Sequence, residues 1–477
     1  MPQTYFVTDE RMLKHKNEWD ENHLEAPRRL ESILEILAKE RILNECTVLS
    51  APSARVEDLR LVHSQRFIDE LRATSCMNLV NSHLGRDAQP VMDLLKIQEQ
   101  LEAYSATKEA IFVNQHSFEC ALLSAGAAVH LVERVLENPG SNGFAAIRPP
   151  GHHASRDTPC GFCFFNNVVI CAKRARQLGL ERVLIVDWDV HAGQGTQYAI
   201  NEDANGIKLI SIHSYQHGTF WPKLEESSVC QRKYKNTINV PLNEIGYGDA
   251  EYAAIFNCIV MPIAVEWRPQ LILISCGFDA AIVSRRHSYG PAYQNEIKAH
   301  SKKSLYLTEN FSGDPHGQMT VSPGGFAYMT GALTSLGVPL VALLEGGYFM
   351  ESLAQGVLHV LRALLQRDQL SLNLEISRPS RSLMHFIEAF IANYSSEFQI
   401  FRFWHSFLSE YRNVKELAPI QPIADEYRGK RIVPVPHPTR GMFKSQANEA
   451  IRQFQAGKSS SASFSRELFC PRRNLSG

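Results

Sequence analysis

The chain has 477 residues, 44% of them hydrophobic and 21% charged, with a formal net charge of -1. That length allows one large domain or two ordinary ones, and the composition is that of a globular protein. Near-neutral charge supplies no field for nucleic acid or an anionic membrane, and no run approaches the length of a membrane span. The N-terminal string Met1-Pro2-Gln3-Thr4 lacks the basic-then-apolar pattern of a secretory signal. Ten cysteines are scattered, some in apolar runs around Cys258 and Cys276, which fits reduced thiols better than a disulfide framework.

In chain order, Leu30, Ile33, Leu34 and Leu37 repeat at helical spacing after Pro27 and predict a helix over 26–48. Ala121, Ala125, Ala128, Leu131 and Val135 share one face of a second helix, over 118–137. Further helical patterns cover 165–178, 249–266 and 325–335. Short continuous apolar runs alternate with them at 183–187, 208–212, 271–275 and 338–344, as expected of strands buried on both faces of a parallel sheet. The alternation predicts a doubly wound α/β domain over roughly 1–370. Phe386, Ile387, Phe390, Ile391, Phe398, Phe401 and Trp404 predict amphipathic helix over 383–416, packed on that domain. Residues 456–477 are serine-rich and poor in apolar groups, and are expected to form a disordered tail.

The polar motifs fall where these runs end. His191, His213, Asp279 and Glu345-Gly346-Gly347-Tyr348 each follow a predicted strand, on the edge where open parallel sheets build their sites. Asp189 and His191, two apart in an extended segment, point the same way. With Asp279 they make two carboxylates and one imidazole, a donor set that suits a catalytic metal with an open position. His152 and His153 follow the constraining string Pro149-Pro150-Gly151. One can move a proton as base and then acid, and Asp187 can hold the other. Tyr348, after two glycines, can donate to an oxyanion. The plainer alternatives are strand-end polar groups facing solvent, an incidental histidine pair and a core tyrosine. Cys160-Gly161-Phe162-Cys163 is a single C-x-x-C with no second copy, which makes a redox pair or zinc knuckle a weak reading. Phe162, Phe220 and Trp221 are core residues or, beside this edge, walls of a narrow apolar channel.

The strings Arg148–Ala154, Gly161–Asn166, Asp187–Gln197, Gly277–Ala281 and Glu345–Tyr348, all in order, resemble the zinc-dependent histone deacetylases over roughly residues 5–375. His217–Pro222 and Gly313–Met319 carry a closer likeness to class II, and most to its class IIb branch. The resemblance implies an arginase/deacetylase-like α/β sandwich around a central, mostly parallel sheet. It implies Zn²⁺ on Asp189, His191 and Asp279, with His153 as general base and acid. His152, paired to Asp187, would act electrostatically, and Tyr348 would polarise the acetyl carbonyl. Gly161, Phe162, Trp221 and His316 would contact substrate. A structural K⁺ or Na⁺ would sit on Asp187, Asp189, His191, Ser211 and the backbone of Ile212. The implied reaction is hydrolysis of N6-acetyl-lysine to lysine and acetate, on histone tails or cytoplasmic proteins. Corepressor partners, a role in chromatin and transcriptional regulation, and residence in nucleus, cytoplasm or both go with it.

Several positions depart from the family pattern. Ala192 stands where a second histidine is usual, Gln194 where a carboxylate or Asn often partners the second active-site histidine, and His23-Leu24-Glu25 where His-Pro-Glu is usual. Residues 283–312 are inserted just after Asp279, with Arg285, Arg286, Lys298, Lys302 and Lys303 among them. They are a basic substrate-recognition loop, a disordered insertion, or a non-coding segment carried into the sequence. The expected organisation is therefore a catalytic domain over 1–375 with this insert, a helical extension over 376–455 and a tail over 456–477. Two other readings stand beside acetyl-lysine hydrolysis: a catalytically weak corepressor-type scaffold, and an acetylpolyamine amidohydrolase. His316, where the polyamine branch carries an acidic gatekeeper, weighs against the last, because it does not attract a distal ammonium as a carboxylate does.

Overall fold

The computed structural model describes residues 3–76, 90–201, 206–229, 233–284, 310–312, 318–366 and 379–403. Eight strands form one sheet: β1 (Thr4–Val7), β2 (Thr47–Leu49), β3 (Asn142–Ala145), β4 (Val183–Asp187), β5 (Ile207–Ser214), β6 (Thr237–Leu242), β7 (Leu271–Cys276) and β10 (Leu340–Leu344). Their order is β2-β1-β3-β10-β7-β4-β5-β6, with every pair parallel. β8 (Ile282–Ser284) and β9 (Asn310–Ser312) pair antiparallel as a separate ribbon and bring the two ends of the insert together.

The apolar runs become central strands because helices cover both faces, so alternation would leave polar groups in the core. β4, β7 and β10 are buried along their whole length. The helix Ser117–Glu137 packs against β1, β3 and the helix Asn167–Gln177, while Pro323–Thr334 packs against Met350–Leu364, which in turn meets Arg28–Lys39. An all-parallel eight-stranded sheet between helices matches the α/β sandwich expected from the resemblance.

Boundaries differ where backbone chemistry overrides periodicity. The helix expected over 26–48 runs only from Arg28 to Lys39: Arg41 turns left-handed at φ 54°, and the chain continues into a 3-10 turn and β2. The strand expected from Val338 begins at Leu340, after Pro339, and β5 extends to Ser214. β1, β2, β3 and β6 carry no apolar run that announces them; β6 even contains Pro241, tolerable because it is an edge strand. The expectation that no run matches a membrane span also needs correction. The stretch Asp249–Trp267 is long and apolar enough by length and composition, but 67% of its most apolar window is buried inside the fold. It is a core helix, widened into a π turn at Phe256–Val260 just ahead of Pro262, which has no N–H to donate.

The helix expected over 383–416 is Arg381–Tyr394, followed by a short turn at Gln399–Phe403. It buries Leu383, Ile387, Phe390 and Ile391. Glu266 secures the turn by accepting the backbone N–H groups of Gln399 at 2.9 Å and Ile400 at 2.7 Å. The boundary near 375, most of the insert, His316, residues 404–416 of the expected C-terminal helix with Trp404, and the expected tail lie outside the described residues.

Candidate active site

Strand register places the site. Asp187, at the end of β4, lies opposite Ser211 of β5 on one side and Ser275 of β7 on the other, and β7 pairs with β10 up to Cys276 and Leu344. The loops leaving these ends carry Asp189, His191, Asp279 and Tyr348 to one rim. The ligand atoms of Asp189, His191 and Asp279 all lie within 4.8 Å of one another. His191 Nδ1 is 3.1 Å from Asp189 Oδ1 and 3.0 Å from Asp279 Oδ2. Backbone donors aim the carboxylates: Val190 N–H reaches Asp279 Oδ1, and Gly346 N–H reaches Asp189 Oδ2, each at 2.9 Å. Only glycine allows that approach, since a Cβ on Gly346 would meet Asp279 Oδ2 at 2.5 Å.

Burial and the neighbouring charge of Asp189 push Asp279 up to about 7. Burial would raise Asp189 too, but the imidazoles of His152 and His191 outweigh it and hold that carboxyl well below its usual range. Two buried carboxylates this close repel unless a proton or a cation lies between them. The set of two oxygen donors, one imidazole nitrogen and room for further ligands fits Zn²⁺.

The two histidines differ in their partners. His152 Nδ1 lies 2.9 Å from Asp187 Oδ2. Burial alone would lower its pKa, but Asp187, Asp189 and Glu345 outweigh burial and push it up to about 10. His153 Nδ1 lies 2.7 Å from Gln194 Oε1, so the amide does reach across from the departing position. That oxygen can only accept, which puts the proton on Nδ1 and leaves Nε2 as the acceptor. Burial, then the charges of His152 and His191, hold His153 well below the ordinary imidazole value. The two rings lie 3.9 Å apart, centroid to centroid, tilted by 43°, and the oriented neutral imidazole of His153 presents Nε2 as a proton acceptor.

The mouth is aromatic. Phe162 meets Tyr348 edge-on at 5.8 Å, Trp221 meets His153 at 4.6 Å and His191 at 5.7 Å, and Phe220 stacks on His191 at 5.2 Å. Gly161 sits at φ 53°, where a Cβ would come within 2.6 Å of both His153 and Trp221. Among the residues expected at a monovalent cation site, Asp187 Oδ1 accepts the Asp189 N–H at 3.1 Å, Ser211 Oγ bonds His213 Nδ1 at 2.8 Å, and Ile212 follows on β5.

Sequence reasoning gave no role to the charges behind the rim. Glu25 takes Arg148 Nε at 2.9 Å and Nη2 at 2.7 Å, and Arg29 Nη1 at 3.1 Å, with all three side chains fully buried. Arg29 also donates to the carbonyls of Gly347, at 2.7 Å, and Glu345, and its guanidinium carbon lies 5.1 Å from the Tyr348 ring centroid. Glu345 Oε2 accepts the N–H groups of Gly151 at 2.7 Å and His152 at 3.1 Å, which pins the histidine loop. Burial, the first cause, pushes that carboxyl up to about 7. The one available signal was that these charges occupy strings rich in apolar and glycine residues.

Residues 23–295 match the family model described as histone deacetylase domain. The chain belongs to the zinc-dependent histone deacetylases. Its relatives place it in class II. It is 39% identical over 370 residues to the mouse (Mus musculus) protein named polyamine deacetylase HDAC10, a match covering 76% of this chain and 48% of that one. It is 34% identical over 373 residues to histone deacetylase 18 of Arabidopsis thaliana, covering 76% and 48%, and 32% over 360 residues to histone deacetylase clr3 of Schizosaccharomyces pombe, covering 72% and 45%. The chain thus spans about half the length of these relatives. Among solved structures, the HD domain of HDA15 matches with a TM-score of 0.67 and 28% identity, covering 86% of this chain and 99% of that one.

Proposed function

We propose that this protein is a zinc-dependent deacetylase that hydrolyses the acetyl amide of N6-acetyl-lysine in proteins. The observation that carries the reading is the convergence of Asp189, His191 and Asp279 within 4.8 Å beside the differently partnered His152 and His153. When bound by those three residues, Zn²⁺ would supply Lewis acidity to the acetyl oxygen and to water. The chain's own groups divide the remaining work. His153 Nε2 takes a proton from the attacking water and gives it to the departing lysine nitrogen. His152 stays cationic against Asp187 and opposes the negative charge that builds on the acyl carbon's oxygen. Tyr348 donates a hydrogen bond from its phenol to the same oxygen, while Phe162 and Trp221 wall the aliphatic stem and exclude water. A structural K⁺ or Na⁺ belongs to this proposal, supported by the pairing of Asp187 with Ser211 across β4 and β5. So do action on histone tails or cytoplasmic proteins, corepressor partners, and residence in nucleus, cytoplasm or both.

A second reading, an acetylpolyamine amidohydrolase, is favoured by relatives named polyamine deacetylase from mouse and from Homo sapiens. The two separate on kcat/KM of the zinc-loaded protein for an acetyl-lysine peptide against acetylspermidine. Preference for the peptide is expected; a reversed preference would replace the first reading with the second.

A further inference from the structure

We propose that Glu109 is a positioning residue at the tunnel mouth, whose carboxylate clamps the Trp221 indole beside His153 and His191. Trp221 Nε1 donates to Glu109 Oε1 at 2.9 Å. The far edge of the same indole lies against Gly161, where an added Cβ would meet Trp221 Cη2 at 2.6 Å. One end of the ring is thus hydrogen-bonded and the other lies close to Gly161, and the ring meets His153 and His191 edge to face.

Glu109 holds the opposite wall as well. Its backbone carbonyl accepts the Gly161 N–H at 3.1 Å, and the Ala110 carbonyl accepts the Phe162 N–H at 2.9 Å. Glu109 thus ties Gly161 by its backbone and Trp221 by its side chain, and its neighbour Ala110 ties Phe162. The segment bearing it is itself anchored. Lys108 Nζ lies 2.7 Å from Glu70 Oε1, Tyr104 donates to the same oxygen at 3.0 Å, and Ser105 Oγ accepts the Val113 N–H at 3.0 Å. Trp221 comes from a loop built of tight turns, with His217 at φ 56° and the Lys223 N–H bonded to the Phe220 carbonyl at 2.8 Å. Such turns fix the local backbone but not the tilt of a large ring projecting from it. An indole has one donor and no acceptor, so a single carboxylate in the right place is enough to set that tilt. On the deacetylase reading Trp221 walls the substrate stem, and the clamp then acts on binding more than on proton transfer.

The kinetic arm of the test rests on the deacetylase reading; the spectroscopic arm does not. The indole Nε1–H resonance of Trp221 is assigned in the full chain by its loss in Trp221→Phe. In Glu109→Ala that resonance should shift and its exchange with solvent should accelerate, whether or not zinc is loaded. Glu109→Gln, which keeps an acceptor oxygen, should retain most of the protection. With acetyl-lysine peptide, Glu109→Ala should raise KM roughly threefold to tenfold and change kcat by no more than about twofold, and Glu109→Gln should recover most of the loss. An unchanged indole signal in Glu109→Ala overturns the clamp, and a shifted signal with unchanged KM overturns its role in substrate positioning. If wild type hydrolyses nothing, the deacetylase reading fails separately and the indole signal alone decides whether the clamp exists.

Discussion

Replacing Glu25 by Gln tests whether the buried charges behind the rim hold the site together. The side chain keeps its shape and loses one negative charge, leaving Arg29 and Arg148 facing each other with no countercharge. Glu25 takes three charge-assisted bonds between 2.7 and 3.1 Å, and none of the three side chains is exposed. Removing one partner of a buried ion pair costs about 3–5 kcal/mol, a large part of the ~5–15 kcal/mol that holds a typical domain. Burial alone would raise the Glu25 carboxyl, but Arg148, His15 and Arg29 outweigh it and hold it far below its ordinary 4.5. A carboxyl lowered on folding stabilises above its unfolded value, and that stability is lost as pH falls through the folded value. Urea denaturation followed by circular dichroism should therefore show the full gap between wild type and Glu25→Gln at pH 7, and a narrower gap in acid below 4.5. A loss under about 1 kcal/mol at neutral pH, or a gap that widens in acid, would refute the reasoning.

Other outcomes follow from the same structure. His15 and His63 are held neutral by burial, at about 3 and about 4 against an ordinary 6.5. Their contribution is present above 6.5 and lost as pH falls towards the folded values, so wild-type stability should drop by about 2 kcal/mol per histidine between pH 7 and pH 5, read from urea midpoints. Tyr348→Phe should lower kcat by about a hundredfold or more while zinc content stays at one per chain by elemental analysis; unchanged turnover would remove its role. Asp279→Ala should lose the metal, and full retention would break the ligand assignment. Gly161→Ala forces a Cβ into His153 and Trp221 at a left-handed φ, and should cost about 1 kcal/mol or more in stability and most of the activity.

What the sequence showed and what it hid have a common cause. β4, β7 and β10 were legible because a strand buried on both faces must be apolar throughout, and the residues following such runs fell on the rim. β1 and β3 were not, because Thr4-Tyr5-Phe6-Val7 and Asn142-Gly143-Phe144-Ala145 are too short to stand out from surrounding loop. The helix ending at Lys39 was overrun because periodicity carries no mark of the left-handed turn at Arg41. His152, His153, Asp189, His191, Asp279 and Tyr348 stood out as candidates because their residue types announce chemistry. Glu25, Arg29, Glu345 and Glu109 announce only charge, and a charge is ordinarily solvated. Their partners lie up to 318 positions away, as for Arg29 and Gly347, so only the folded chain reveals what they hold.

The most direct test of the account is acetate release from an acetyl-lysine peptide by the zinc-loaded full chain, with His153→Ala measured beside it. The account predicts steady release by wild type and a loss of at least about a hundredfold in the variant, with equal zinc in both. Equal rates in the two proteins, or no release by a wild type that holds zinc, would contradict it.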